Sequence, residues 1–377
     1  MSYIPVYSPY LRGNVAKYVA DCVDSGWISS RGDYVSKFEE CFARYVGADA
    51  ATSVSNGTVA LHLALVALGV GPGDEVIVPT FTYIASVNTI LQAGAKPVFV
   101  DSLEQTLQVD PVSIAKAITS RTRAVMAVHL YGHPCDMTQI ELLCRKNSLW
   151  LVEDCAEGVG TWWQNRHVGT FGDVATFSFF GNKTITTGEG GMVLARDPAV
   201  MARCRHLKSQ GVSSTREYWH DVLGFNYRMT NIQAAIGLSQ LELVNEIIML
   251  KRSLAGRYKE GLKGLPLRFF DEVGDVVNSY WMCSVLLDHP SQRDPLRKYL
   301  AARGIETRPF FALAHEMPHC RADGRFPVAK SISSRGINLP SSPALTGREA
   351  ASIIDSIRSF FKGCAEREDF IAKKEAT

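Results

Sequence analysis

The stretch AVMAVHLYGHPCDMTQIELLCRKNSLWLVED, residues 124–154, holds two short apolar runs, Ala124–Val128 and Leu149–Val152, on either side of a turn and an amphipathic segment. Each run is too short and too β-branched for a buried helix, so the pattern implies strand, helix, strand. The same alternation continues on both sides, from about residue 50 to 200, with further strand candidates at Glu75–Val78, Pro97–Val100 and Ala175–Ser178. It predicts an α/β fold with a mostly parallel sheet covered by helices on both faces. Ligands bind such sheets just beyond the carboxyl ends of the strands.

Farther along, the segment from Ile232 to about Lys259 is rich in Ala, Leu, Ile and Gln and reads as one long helix leaving this unit. We place a boundary near residue 250, giving a large domain over 1–250 and a smaller α/β domain over 251–377. The second unit is expected to contain strands at Tyr280–Leu287 and Thr307–Phe311 and helices at Pro295–Arg303 and Gly347–Phe361. A chain of 377 residues is long for one hydrophobic core, which fits that division.

Composition excludes several functions. Forty Lys and Arg against 38 Asp and Glu leave a formal charge of +2, too small for an electrostatic footprint on nucleic acid or an anionic membrane. The nine cysteines are odd in number and show no CxxC pair, so free thiols in a reducing compartment are expected. No segment has the length of a membrane span or the pattern of a signal peptide, and a cytoplasmic location is the expectation.

Three places carry chemistry. Ser55-Asn-Gly-Thr58 precedes a strongly helical run, Val59–Leu68, so Gly57 and Thr58 either offer free N–H groups to a phosphate or simply cap the helix. Asp154 ends a buried strand, where an unpaired charge is costly; its partner is a protonated pyridine nitrogen, an arginine or a helix start. Lys183 lies in a polar, glycine-rich loop, Phe177–Gly191, where it is either a surface lysine or a Schiff-base lysine with a lowered pKa. The glycines after it lack the third glycine of a dinucleotide loop and lead into a strand.

The segments SNGTVALHLAL, VIVPTFTYIAS, VHLYGHPCDM, VEDCAEGVG, SFFGNKTITTGEGGM and GFNYRMTNIQAAIG together resemble the DegT/StrS-type sugar-nucleotide aminotransferases, from Ile4 to Pro340. The resemblance implies the type I PLP-dependent transferase fold of aspartate aminotransferase, pyridoxal 5'-phosphate as cofactor, and a homodimer with shared active sites. It implies L-glutamate as donor and a nucleotide-linked 4-keto-6-deoxy sugar as acceptor, with GDP-4-keto-6-deoxy-D-mannose suggested by the closest wording. Residue by residue, Lys183 matches the lysine that holds the cofactor, Asp154 the carboxylate facing the pyridine nitrogen, and Tyr83 the stacking aromatic. Gly57, Thr58 and Ser178 match phosphate-binding positions, and Asn226 one that reaches the phosphate from the neighbouring subunit. Lys183 also favours amine transfer over the related dehydration, where a histidine replaces it. Glu157 stands where many members have Gln or His, and a second anion there needs a proton or a cationic neighbour. Gly158 stands where Ala is usual.

His315-Glu-Met-Pro-His319 matches the HExxH zinc pattern, but Pro318 disfavours helix at Met317 and the two rings should not share a face. No metal is expected there; by resemblance His315 is a sugar contact. Arg308 either balances substrate phosphate or pairs on the surface. His129, His133 and Cys135 lie at a strand end without a fourth ligand, and structural roles are expected.

Overall fold

The computed structural model describes residues 3–375, with side chains through residue 364. A seven-stranded sheet runs in the order Ala51–Val54, Gly191–Ala195, Val174–Ser178, Trp150–Asp154, Thr122–Val128, Glu75–Pro79, Lys96–Val100. Neighbours pair in parallel except Gly191–Ala195, which is antiparallel to both strands beside it. The five strands expected in this sheet appear within a residue or two of their predicted bounds.

Alternation along a single strand shows why both faces are covered. Ala124, Met126 and Val128 pack into the cluster that contains Leu61, Leu63 and Leu65 of the helix Gly57–Ala67. Val125 and Ala127 enter the opposite cluster with Ile140 and Cys144 of the helix Met137–Lys146. Successive side chains of a strand point to opposite faces, so a run with no polar position requires apolar layers on both sides.

The long helix expected over 232–259 is two helices, Asn231–Glu242 and Val244–Gly261, which meet at Leu243 (φ −104°, ψ 4°). No Gly or Pro marks the break; Leu243 packs at Gly13 of the N-terminal arm, a contact invisible in local sequence. Two N-terminal helices not anticipated, Val15–Ser25 and Asp33–Val46, pack on Asn231–Glu242.

A second, antiparallel sheet runs Leu267–Arg268, Cys283–Leu287, Gly336–Leu339, Arg308–Pro309. Its cluster joins Val285, Leu287, Ile337 and Leu339 to Tyr258, Ile353 and Ile357, and it also takes Ile4. Ile4 pairs with Ile305, and Ser341 N–H donates to the Val6 carbonyl, so the chain's beginning packs on this sheet. Among the described residues no helix is long and apolar enough to cross a membrane.

Candidate active site

A cavity of about 730 Å³ opens at the carboxyl ends of the central strands, lined among others by Gly57, Thr58, Tyr83, Asp154, Glu157, Ser178 and Lys183. The helix Gly57–Ala67 starts there. Asn56 caps it through Oδ1 to the Val59 N–H (3.0 Å), leaving the Gly57 and Thr58 N–H groups without a partner in the helix itself. Gly57 presses so closely on Ser178 that a Cβ would come within 2.7 Å of the serine Cβ. Asp154, 4% exposed, accepts from Ser86 Oγ (2.7 Å) and the Ala156 N–H (3.1 Å). Among the described residues no cation lies within ion-pair distance of it.

Lys183 enters from the loop after Val174–Ser178. Its Nζ lies 3.6 Å from Glu157 Oε1 and 4.1 Å from the centre of the Trp281 ring. The loop is pinned from outside: Tyr7 Oη donates to the Lys183 carbonyl (2.6 Å) and Trp281 Nε1 to that of Asn182 (2.7 Å). Asn182 Oδ1 is buried with no partner among the described residues. Glu157 is held by the N–H of Tyr131 (2.7 Å), a residue in the left-handed region at φ 56°. Burial pushes the Glu157 carboxyl up to about 7 against the pull of Lys183 and the Tyr131 N–H. The anion at 157 thus has both the cationic neighbour and the ready proton that its position demands.

A convergence of helix start, strand-end carboxylate and loop lysine is a site built for a phosphorylated ring with a basic nitrogen. Residues 9–358 match the profile of the DegT/DnrJ/EryC1/StrS aminotransferases. The chain belongs to the DegT/DnrJ/EryC1/StrS aminotransferase family. It is 52% identical to the GDP-perosamine synthase of Escherichia coli O157:H7 over 96% of this chain and 99% of that one. The aminotransferase TlmJ of Streptoalloteichus hindustanus superposes with a TM-score of 0.92 at 33% identity, covering 96% of this chain and all of that one (100%). Spr1654 of Streptococcus pneumoniae in its PLP form superposes at 0.91 with 26% identity, over 96% and 99% of the two chains. As a DegT/DnrJ/EryC1/StrS aminotransferase, the chain has the type I fold and is a PLP-dependent sugar-nucleotide aminotransferase.

The residues present fit that cofactor. Asp154 is a buried carboxylate bonded only to neutral donors, as a partner for a pyridinium requires. The Gly57 approach to Ser178 leaves a cradle that any side chain would fill. Lys183 is the lysine that lines the cavity.

Other expected residues sit differently. Tyr83 lines the cavity, 56% exposed, its ring 5.7 Å from that of Phe311. Asn226 is exposed and does not line its own chain's cavity; its neighbour Tyr227 does. His315 does not line it either: its Nδ1 lies 2.6 Å from Thr80 Oγ1, and its ring packs on Phe326. Arg308 pairs with Glu306 (2.6 Å) at the surface, outside the cavity. Helix stops before Pro318, with Met317 extended (ψ 139°), and His319 bonds Asn88, so His315 and His319 do not form a shared site.

His129 instead gathers with Glu153 and Cys155 in a sealed group. The Cys135 N–H donates to His129 Nδ1 (3.1 Å), which leaves Nε2 to donate to Glu153. Glu153 also accepts from the N–H groups of Gly169, Phe171 and Gly172, which saturates it as a structural carboxylate. Gly158 has a packing reason: a Cβ there would lie 2.8 Å from Cγ2 of the buried Val168. Sequence reasoning missed Trp281, Ser86 and Asn182, although Ser86 lies inside the quoted VIVPTFTYIAS segment and Asn182 beside Lys183.

Proposed function

We propose that this enzyme transfers the amino group of L-glutamate to GDP-4-keto-6-deoxy-D-mannose, giving GDP-perosamine. The observation that carries this reading is the 52% identity to a GDP-perosamine synthase over 99% of that protein's length. In this reading the enzyme works in the cytoplasm as a homodimer, in which Asn226 of the partner subunit reaches the cofactor phosphate. Residues 1–250 form the cofactor domain, and the smaller domain, 251–377, closes the cavity with Trp281 and Phe311.

Bound PLP supplies an electron sink and carries the amine between donor and acceptor. Lys183 would hold it, with Gly57, Thr58 and Ser178 at its phosphate and Tyr83 against its ring. Asp154 would favour a proton on the pyridine nitrogen, as a carboxylate with neutral neighbours stabilises that cation. The Lys183 amine is the base that would take the proton from the glutamate α-carbon and the acid that would return one at the sugar C4. Glu157 holds its own proton or accepts one from Lys183, with a carboxyl near neutrality and 3.6 Å away. Trp281 excludes water from the ammonium. His315 and Arg308 act on the sugar nucleotide only if substrate brings them toward the cavity.

The test is a panel of GDP-, dTDP- and UDP-linked 4-keto-6-deoxy sugars with glutamate, followed by product mass. An amino sugar from the GDP substrate is expected. Preference for another nucleotide, or loss of water in place of amine gain, would sink the assignment.

A further inference from the structure

We infer that Lys251, which does not line the cavity, is a positioning residue for Lys183: its ammonium closes a ring of contacts that holds the Lys183 loop in place. Lys251 lies within the helix Val244–Gly261 and is 1% exposed. Its Nζ donates to the carbonyls of Trp281 (3.1 Å) and Ser341 (2.9 Å), with the Tyr7 ring centre 5.0 Å away. Among the described residues no carboxylate lies within ion-pair distance of it. An ammonium buried without an anion costs the fold free energy, and a methionine would fill similar volume without that cost.

Each contact of this ammonium leads to Lys183. The Trp281 ring lies against Lys183 Nζ and its indole N–H holds the Asn182 carbonyl. Tyr7 holds the carbonyl of Lys183 itself. Ser341 closes the circuit, its N–H on the Val6 carbonyl beside Tyr7 and its Oγ taking the N–H of Cys283, two residues past Trp281. The N-terminal arm, the second sheet and the lysine loop therefore meet through one charge. Burial lowers the Lys251 pKa to about 8; the titratable groups facing it are the Cys283 thiol, pushed by burial to about 11, and the Tyr7 hydroxyl, also raised by burial.

The linkage gives this role an unusual signature. A lysine whose pKa falls on folding costs stability while charged, relative to its neutral form, and replacing it relieves that cost but leaves the Trp281 and Ser341 carbonyls without their donor. Because the two effects oppose each other, Lys251→Met is expected to change the Tm of the apoprotein little. The same variant should slow the glutamate half-reaction about 10- to 100-fold through misplacement of Lys183. It should also raise the rate at which an amine reagent labels Lys183 in the apoprotein. The inference rests on Lys183 as the cofactor's anchor, and Lys183→Ala separates the two: a retained visible cofactor band there overturns the anchor, whatever Lys251 does. Wild-type turnover and labelling in Lys251→Met, or activity lost only in step with a lowered Tm, overturn the positioning role. If that variant does not fold, Tyr7→Phe, which removes the bond to the Lys183 carbonyl, must raise labelling and slow turnover. Wild-type values for Tyr7→Phe overturn it equally.

Discussion

Glu153 and Glu157 are both buried and only four residues apart, one in the strand Trp150–Asp154 and one in the turn after it, yet their carboxyls move in opposite directions. Glu153 is pushed up by burial, but His129 and backbone N–H groups of Gly169 and Gly172 outweigh that and hold it below the usual range. Glu157 receives one backbone N–H and faces Lys183, and burial wins. Burial alone does not fix a carboxyl's charge; the number of donors the fold aims at it does. The sealed side of the strand end spends its donors on stability, while the cavity side leaves its groups under-satisfied for a ligand.

That contrast predicts a division of effects, largest first. Lys183→Ala should lower turnover by at least about 10⁴-fold with an unchanged melting temperature, measured by single-turnover kinetics and calorimetry. Asp154→Asn, also on the cavity side, should cost about 10³-fold, roughly 4 kcal/mol of barrier, again without loss of fold. A large fall in stability for either would erase the contrast. Glu153→Gln should do the reverse: about 4 kcal/mol less stable in urea, with near-normal turnover in the protein that remains folded.

Stability against pH sharpens the same comparison. The Glu157 carboxyl is raised from 4.5 to about 7 on folding, so its contribution is complete below 4.5 and is lost as pH rises through 7. Glu153 is lowered, so its contribution is present above 4.5 and is lost on acidification through its folded value. In the apoprotein Glu157→Gln should remove the loss between pH 4.5 and 7, worth about 3 kcal/mol. A Tm profile that keeps this slope would contradict the assignment. The smallest effect expected is Gly158→Ala, about 1 kcal/mol from crowding Val168, seen as a modest shift in the urea midpoint.

The central sheet was legible because buried parallel strands read as short apolar runs, and Asp154 was legible because a carboxylate ending such a run is costly. The helix start at Gly57 was legible from its composition, although the residues there left capping and phosphate binding open and family resemblance chose the second. Trp281, Tyr7 and Lys251 were not legible as a group. They lie far apart in the chain, and nothing in the sequence around Lys251 distinguishes a lysine aimed at two carbonyls from one in water. The break at Leu243 stayed hidden too, since no Gly or Pro marks it and the contact Leu243 makes at Gly13 joins residues far apart in the chain.

The pairing of Ile4 with Ile305 has a consequence for how the enzyme is made. During synthesis the N-terminal arm leaves the ribosome first, and its partner follows about 300 residues later, on the order of 15 to 60 seconds at ordinary elongation rates. Through that interval Tyr7 has no second sheet to rest on, although every strand of the large sheet has been made once residue 195 is passed. A nascent chain stalled between residues 195 and 305 should therefore carry the strands of the large sheet without the Ile4–Ile305 pairing.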